Sequence, residues 1–145
     1  MARVLLDTNI LVFLTSPASL WHTHSQRAVE RLIQRGDKPV FSSQVVYEFW
    51  SVATRPVAAN GLGWPVADAR RAIDGFRREF DVLHDPPEVL DLWLDIVVAH
   101  DLKGKRIHDA HLLATMKANS VSQMLTCNAA DFPADSEISI LTPEA

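Results

Sequence analysis

The sequence predicts an α/β domain built on a doubly wound parallel sheet. Three observations point there. Short apolar runs alternate with stretches of helical periodicity along the chain, the connections between them are short, and no segment repeats. At 145 residues, 48% hydrophobic and 22% charged, the chain can fill one core and cover it, so residues 1–145 are expected to form a single domain.

Taken in order, Val4-Leu5-Leu6 is an apolar run too short for a helix and reads as a buried strand. A helix is expected from Trp21 to Gln34, because Trp21, Ser25, Ala28, Val29, Leu32 and Ile33 recur at 3.6-residue spacing; Gly36-Asp37 ends it. Val40-Phe41 is a second strand, and Ser42 or Ser43 can cap the helix after it. That helix carries Val45, Phe49, Val52 and Ala53 inward and stops before Pro56. The glycine-bearing stretch from Ala58 to Trp64 is a loop, and Pro65 opens a helix with Val66, Ala69, Ile73, Phe76 and Phe80 aligned. Val82-Leu83 is a third strand closed by Asp85-Pro86-Pro87, followed by a helix with Val89, Trp93, Ile96, Val97 and His100. Lys103-Gly104-Lys105 turns the chain into a helix over Ile107–Lys117, and Met124-Leu125 and Ile138-Ser139-Ile140 are the last two strands.

Composition narrows the function classes. A lone cysteine, Cys127, rules out an intramolecular disulfide and a multi-cysteine zinc site, and fits a reducing cytoplasm. No stretch approaches the roughly 20 apolar residues of a membrane helix; the run Ile10–Leu14 stops at Thr15-Ser16-Pro17, and the N-terminus lacks a secretory signal. A soluble, cytoplasmic protein is therefore expected. The net charge of −4 argues weakly against nucleic acid, because carboxylates gathered for a cation make a chain acidic while local bases still meet phosphate.

Ligands of open parallel sheets bind beyond the carboxyl ends of the strands, so polar residues at those ends matter most. Asp7-Thr8-Asn9 follows the first strand; Asn128 and Asp131 follow the fourth. Glu48 and Asp109 border the apolar stripes of two helices. Each has an ordinary alternative: Asp7 as a helix cap, Glu48 as a salt-bridge partner of Arg55 or another arginine, Asp109 as a helix-dipole partner, Asp131 as a cap or turn residue. His108 and His111 flank Asp109 and read as partly buried or surface histidines before ligands. Jointly, Asp7, Glu48 and Asp109 point to a hard divalent cation, Mg²⁺ or Mn²⁺, and to phosphodiester hydrolysis.

Four segments carry a resemblance: Leu5-Leu6-Asp7-Thr8-Asn9-Ile10-Leu11, Tyr47-Glu48-Phe49-Trp50 with Ala53-Thr54-Arg55-Pro56, Ile107-His108-Asp109-Ala110, and Thr126-Cys127-Asn128-Ala129-Ala130-Asp131-Phe132. In their order and intervals the chain resembles PIN-domain ribonucleases, most closely the VapC toxins of prokaryotic toxin–antitoxin pairs. The resemblance implies an α/β/α sandwich with five parallel strands in the order 3-2-1-4-5 and helices on both faces. It implies Mg²⁺- or Mn²⁺-dependent endonucleolytic cleavage of RNA, with Asp7 and Asp109 as metal ligands and Glu48 positioning water or completing the set. Asn128 stands where some PIN domains have an aspartate, a departure for which Asp131 can compensate.

Thr8 and Thr126 can offer hydroxyls to substrate or water, and Lys103, Lys105 and Arg106 can contact the RNA backbone. A homodimer silenced by a VapB-type antitoxin is the family's implication for partners. The arginine series Arg27, Arg31, Arg35 and Arg70, Arg71, Arg77, Arg78 reads as solvated faces, or as a seat for an acidic antitoxin tail. Trp21, Trp50 and Trp93 are expected in the core and Trp64 at an interface. Two rival functions remain: a catalytically weak RNA-binding PIN domain, suggested by Asn128, and a phosphatase with Asp7 as nucleophile, opposed by Asn9.

Overall fold

The computed structural model describes residues 1–144. At its centre lies β1 (Arg3–Leu6), whose Val4, Leu5 and Leu6 have no exposure to solvent. A strand buried residue after residue needs cover on both faces, which is the condition of a parallel sheet sandwiched between helices. Around it stand β2 (Lys38–Ser42), β3 (Asp81–Leu83), β4 (Gln123–Leu125) and β5 (Ser139–Leu141). All pairings are parallel, in the order β3-β2-β1-β4-β5. The expected α/β fold and strand order are both present.

The helices are α1 (Thr8–Leu14), α2 (Trp21–Gln34), α3 (Ser43–Thr54), α4 (Val66–Glu79), α5 (Val89–Ala99) and α6 (Arg106–Ala118). Ser42 caps α3 by accepting a hydrogen bond from the Val45 amide. Gly36, at φ +85°, takes the left-handed conformation just past α2 that side chains resist. On the side of β2, Phe49 and Phe41 meet Phe76 edge-to-face at 5.7 and 6.5 Å, tying α3 and α4 to the sheet.

The structure corrects several sequence expectations. α1 enters the sequence reading only as a turn that Asp7 can cap, not as a helix of its own. Trp21 and Ile33, placed on the inner stripe of α2, are 41% and 53% exposed, and Val66 at the start of α4 is 62% exposed. Each stands at a helix end, where the stripe has turned away from the sheet. His100 lies past the end of α5 and is exposed. Trp64, expected at an interface, instead packs edge-to-face on Phe49 at 6.1 Å. Among the described residues, no helix is long and apolar enough to cross a membrane.

The strand order reverses direction between β1 and β4. Their carboxyl ends lie side by side, with Leu6 in register with Leu125. Crevices open at such reversal points because the flanking connections leave in opposite directions.

Candidate active site

Asp7 leaves β1 at this point, and its amide donates to the Leu125 carbonyl at 3.0 Å. Both carboxylate oxygens are engaged. Oδ1 accepts from the Thr8 amide at 2.7 Å, the helix-cap role, and Oδ2 accepts from the Thr126 hydroxyl at 2.7 Å and the Asn9 amide at 3.4 Å. Capping and site placement are therefore one arrangement, not alternatives. Burial raises the Asp7 pKa above its ordinary value, the Thr126 and Thr8 hydrogen bonds pull it back, and the charges of Glu48 and Asp131 add to the rise.

Asn9 holds the two strand ends together. Its amide reaches the Thr126 hydroxyl at 3.3 Å and its carbonyl oxygen accepts from the Cys127 amide at 3.1 Å. Thr126 is fully buried, donates to Asp7, and accepts from the Asn128 amide at 3.0 Å. Its hydroxyl serves the carboxylate and lies out of reach of substrate. Thr8 likewise serves a carboxylate, donating to Glu48 Oε2 at 2.7 Å, but it is only half-buried and lines the cleft.

Glu48 sits on α3, with its second oxygen taken by the Gln44 side-chain amide at 2.8 Å. No salt bridge to Arg55 forms; the Arg55 guanidinium turns to the Asn60 carbonyl instead. Asp109, in the first turn of α6, has neither a hydrogen bond nor an ion pair from its side chain among the described residues. Burial, then the charges of Asp131, Asp7 and Glu48, push its carboxyl up to about 6, with Arg106 opposing. Burial is the larger cause of this rise, and the neighbouring carboxylates add to it.

These residues line a cleft of about 300 Å³, formed by Asp7, Thr8, Asn9, Glu48, Asp109, Asn128 and Asp131 with the apolar Val12, Phe13, Val52 and Phe132. A larger hollow of about 620 Å³ lies against Arg31, Arg35, Leu125 and Leu141, but among the described residues only Glu144 brings it a carboxylate. Chemistry rather than volume singles out the acidic cleft.

Asp131 and Asn128 both line the cleft, and it is the charge of Asp131 that Asp109 feels most strongly among its acidic neighbours. Among the described residues, no three His, Cys, Asp or Glu side chains stand close enough to make a ready metal cage. The oxygens of Asp7 and Glu48 are instead engaged by hydrogen-bond donors, Asp7 by Thr8 and Thr126 and Glu48 by Thr8 and Gln44. The donor set is all oxygen and carries up to four negative charges, which fits a hard divalent cation and no thiophilic one.

Lys103, Lys105 and Arg106 lie outside the cleft lining, exposed on the approach to α6. Lys103 stands 3.5 Å from Asp101, and of the three only Arg106 acts on an acid of the site. Sequence reasoning missed Gln44, a buried amide one helical turn before Glu48, and left His111 without a partner. Four-residue spacing on one helix face was the signal that could have found Gln44. His111 contacts the Gln44 carbonyl oxygen through Nδ1 and Asp85 Oδ2 through Nε2, the latter at 2.7 Å.

Comparisons with known proteins agree with this architecture. The chain is similar in fold to VapBC2 from Rickettsia felis, a structure bound to a DNA fragment from its promoter, with a TM-score of 0.71, 13% identity, and 97% and 98% of the two chains covered. It is similar to Mycobacterium tuberculosis VapC20, described as a Sarcin-Ricin loop cleaving toxin, with a TM-score of 0.61, 18% identity, and 83% and 86% covered. DNA-bound VapBC from Salmonella typhimurium matches with a TM-score of 0.69, 16% identity and 98% of both chains covered. No curated protein matches the chain by sequence. The family model described as PIN domain matches residues 4–133, from the first strand through the turn that carries Asp131, and on that match the chain belongs to the PIN domain family.

Proposed function

We propose that this chain is a divalent-metal-dependent endoribonuclease of the VapC kind, the toxin of a toxin–antitoxin pair. The observation that carries the reading is the gathering of Asp7, Glu48, Asp109 and Asp131 in one cleft at the strand reversal of a PIN domain. Four carboxylates lining one cleft offer an all-oxygen donor set to a cation, which a polyanionic substrate can share.

Asp7 and Asp109 would hold Mg²⁺ or Mn²⁺, with Glu48 completing the set. The bound cation supplies Lewis acidity to a water and to the scissile phosphate. Glu48, its carboxylate held by Thr8 and Gln44, orients the attacking water as a hydrogen-bond acceptor. Asp131 takes the fourth acidic place, and Asn128 borders the substrate path as a neutral amide. Thr126 fixes the rotamer of Asp7. Lys103, Lys105 and Arg106, exposed beside Asp109, meet the RNA backbone.

The VapBC complexes among the similar structures support a VapB-like antitoxin as partner; that it sits over the acidic cleft, and that the toxin is itself a homodimer, are carried over from the family resemblance. A cytoplasmic site of action accords with an RNA target.

The test is cleavage of structured RNA with Mg²⁺ or Mn²⁺, abolished by EDTA. Asp7→Asn and Asp109→Asn are each expected to lose more than the about 10–100-fold that removal of an outer partner costs. Equal cleavage by these variants would remove the assignment. RNA affinity without turnover in the wild-type protein would favour the binding-module reading that Asn128 suggests.

A further inference from the structure

We infer that Gln44, itself fixed by His111 and Asp85, is a positioning residue that sets the orientation of Glu48 in the site. The inference rests on the nuclease reading and extends it to residues outside the acidic cleft. Gln44 is buried in the first turn of α3, where an unbonded amide would be costly. Its Nε2 donates to Glu48 Oε1 and to the His108 carbonyl, both at 2.8 Å.

Those two acceptors assign the amide orientation, because the reversed group would turn its oxygen toward a carboxylate and a carbonyl. The carbonyl oxygen of Gln44 then faces His111 Nδ1, which donates to it. His111 is held in turn by Asp85, whose second oxygen accepts from the Thr115 hydroxyl at 2.8 Å. The chain of bonds runs from the segment after β3, through α6, to α3, and ends on the carboxylate of Glu48.

Two consequences follow from the geometry. Glu48 has one oxygen on Thr8 and one on Gln44, so its plane is defined from both sides. Gln44 also links α3, which carries Glu48, to the backbone of α6 one residue before Asp109, so it sets the separation of those two acids. Partners of this type, one bond removed from a ligand, tune affinity without touching substrate.

The experiment measures Mn²⁺ binding to the metal-free protein by calorimetry, alongside RNA cleavage and thermal unfolding. Gln44→Leu keeps the volume and removes the amide. It is expected to weaken Mn²⁺ binding about 10–100-fold and to lower kcat while KM for RNA holds. His111→Ala is expected to act in the same direction, and the double variant to bind no more weakly than Gln44→Leu alone, because His111 works through Gln44. Mn²⁺ affinity within twofold of wild type in folded Gln44→Leu overturns the inference while wild-type cleavage leaves the nuclease reading standing. Should that variant not fold, His111→Ala decides, since its ring is 30% exposed and lies outside the buried apolar core; unchanged affinity there is equally fatal. A wild-type protein that neither binds Mn²⁺ nor cuts RNA sinks the nuclease reading itself.

Discussion

Asp109 should make the metal-free protein less stable than it could be, and Asp109→Asn should reveal by how much. Its carboxyl is raised from 3.8 to about 6 in the folded chain, by burial first and then by Asp131, Asp7 and Glu48. The folded state thus holds this proton more tightly than the unfolded state. Stability from this group is present at low pH and is lost as pH climbs through the range between those two values. Fully expressed, the rise corresponds to about 3 kcal/mol. Partial exposure screens it to about 1.5 kcal/mol, and removing a charge from the first turn of α6 gives back about 0.5 kcal/mol.

Asp109→Asn should therefore stabilise the protein by about 1 kcal/mol at pH 8, equivalent to about 3 °C in Tm. The gain should shrink toward zero near pH 4. The assay is urea unfolding in EDTA at a series of pH values, read as the difference between variant and wild type. A variant no more stable than wild type at pH 8, or a gain independent of pH, refutes the reasoning. Millimolar Mg²⁺ should reverse the order by stabilising the wild type alone.

Two further predictions concern the scaffold. A Cβ at Gly61 would lie 2.1 Å from the Arg55 carbonyl oxygen, which already accepts from the Gly63 amide, so Gly61→Ala should cost about 2 kcal/mol or more by denaturant unfolding. Unaltered stability would show that this loop relaxes freely. Among the described residues the Ser25 hydroxyl, buried in α2, has no hydrogen-bond partner at normal distance, so Ser25→Ala should raise stability by about 1 kcal/mol, and a loss of stability would mean that the nearby Cys127 thiol satisfies it.

Much of the fold was legible because burial imposes periodicity. α2 runs from Trp21 to Gln34 as its stripe predicts, and the five strands lie where apolar runs stand between turn residues. α1 escaped because seven residues with five consecutive apolar side chains show no period, and strand-like Ile and Val mask a helix set by the Asp7 cap. Of the site, the acids could be read from their places at strand ends and stripe borders. The supporting bonds could not, because Gln44, His111 and Asp85 are far apart in sequence and each looks ordinary alone. Trp64 misled for a related reason: a glycine-rich loop suggests exposure, yet backbone bonds from Leu62 and Trp64 to the end of α3 fold it back onto Phe49.

The bond between Asp7 and Thr126 spans 119 residues. On a translating ribosome, Asp7 emerges early and waits for β4 to supply both its hydroxyl partner and the neighbouring strand. On the proposed ribonuclease reading, the acidic site of a nascent chain stays incomplete until Thr126 has been made. Two fragments expressed separately, split between α5 and α6, should likewise be silent alone and active once they associate.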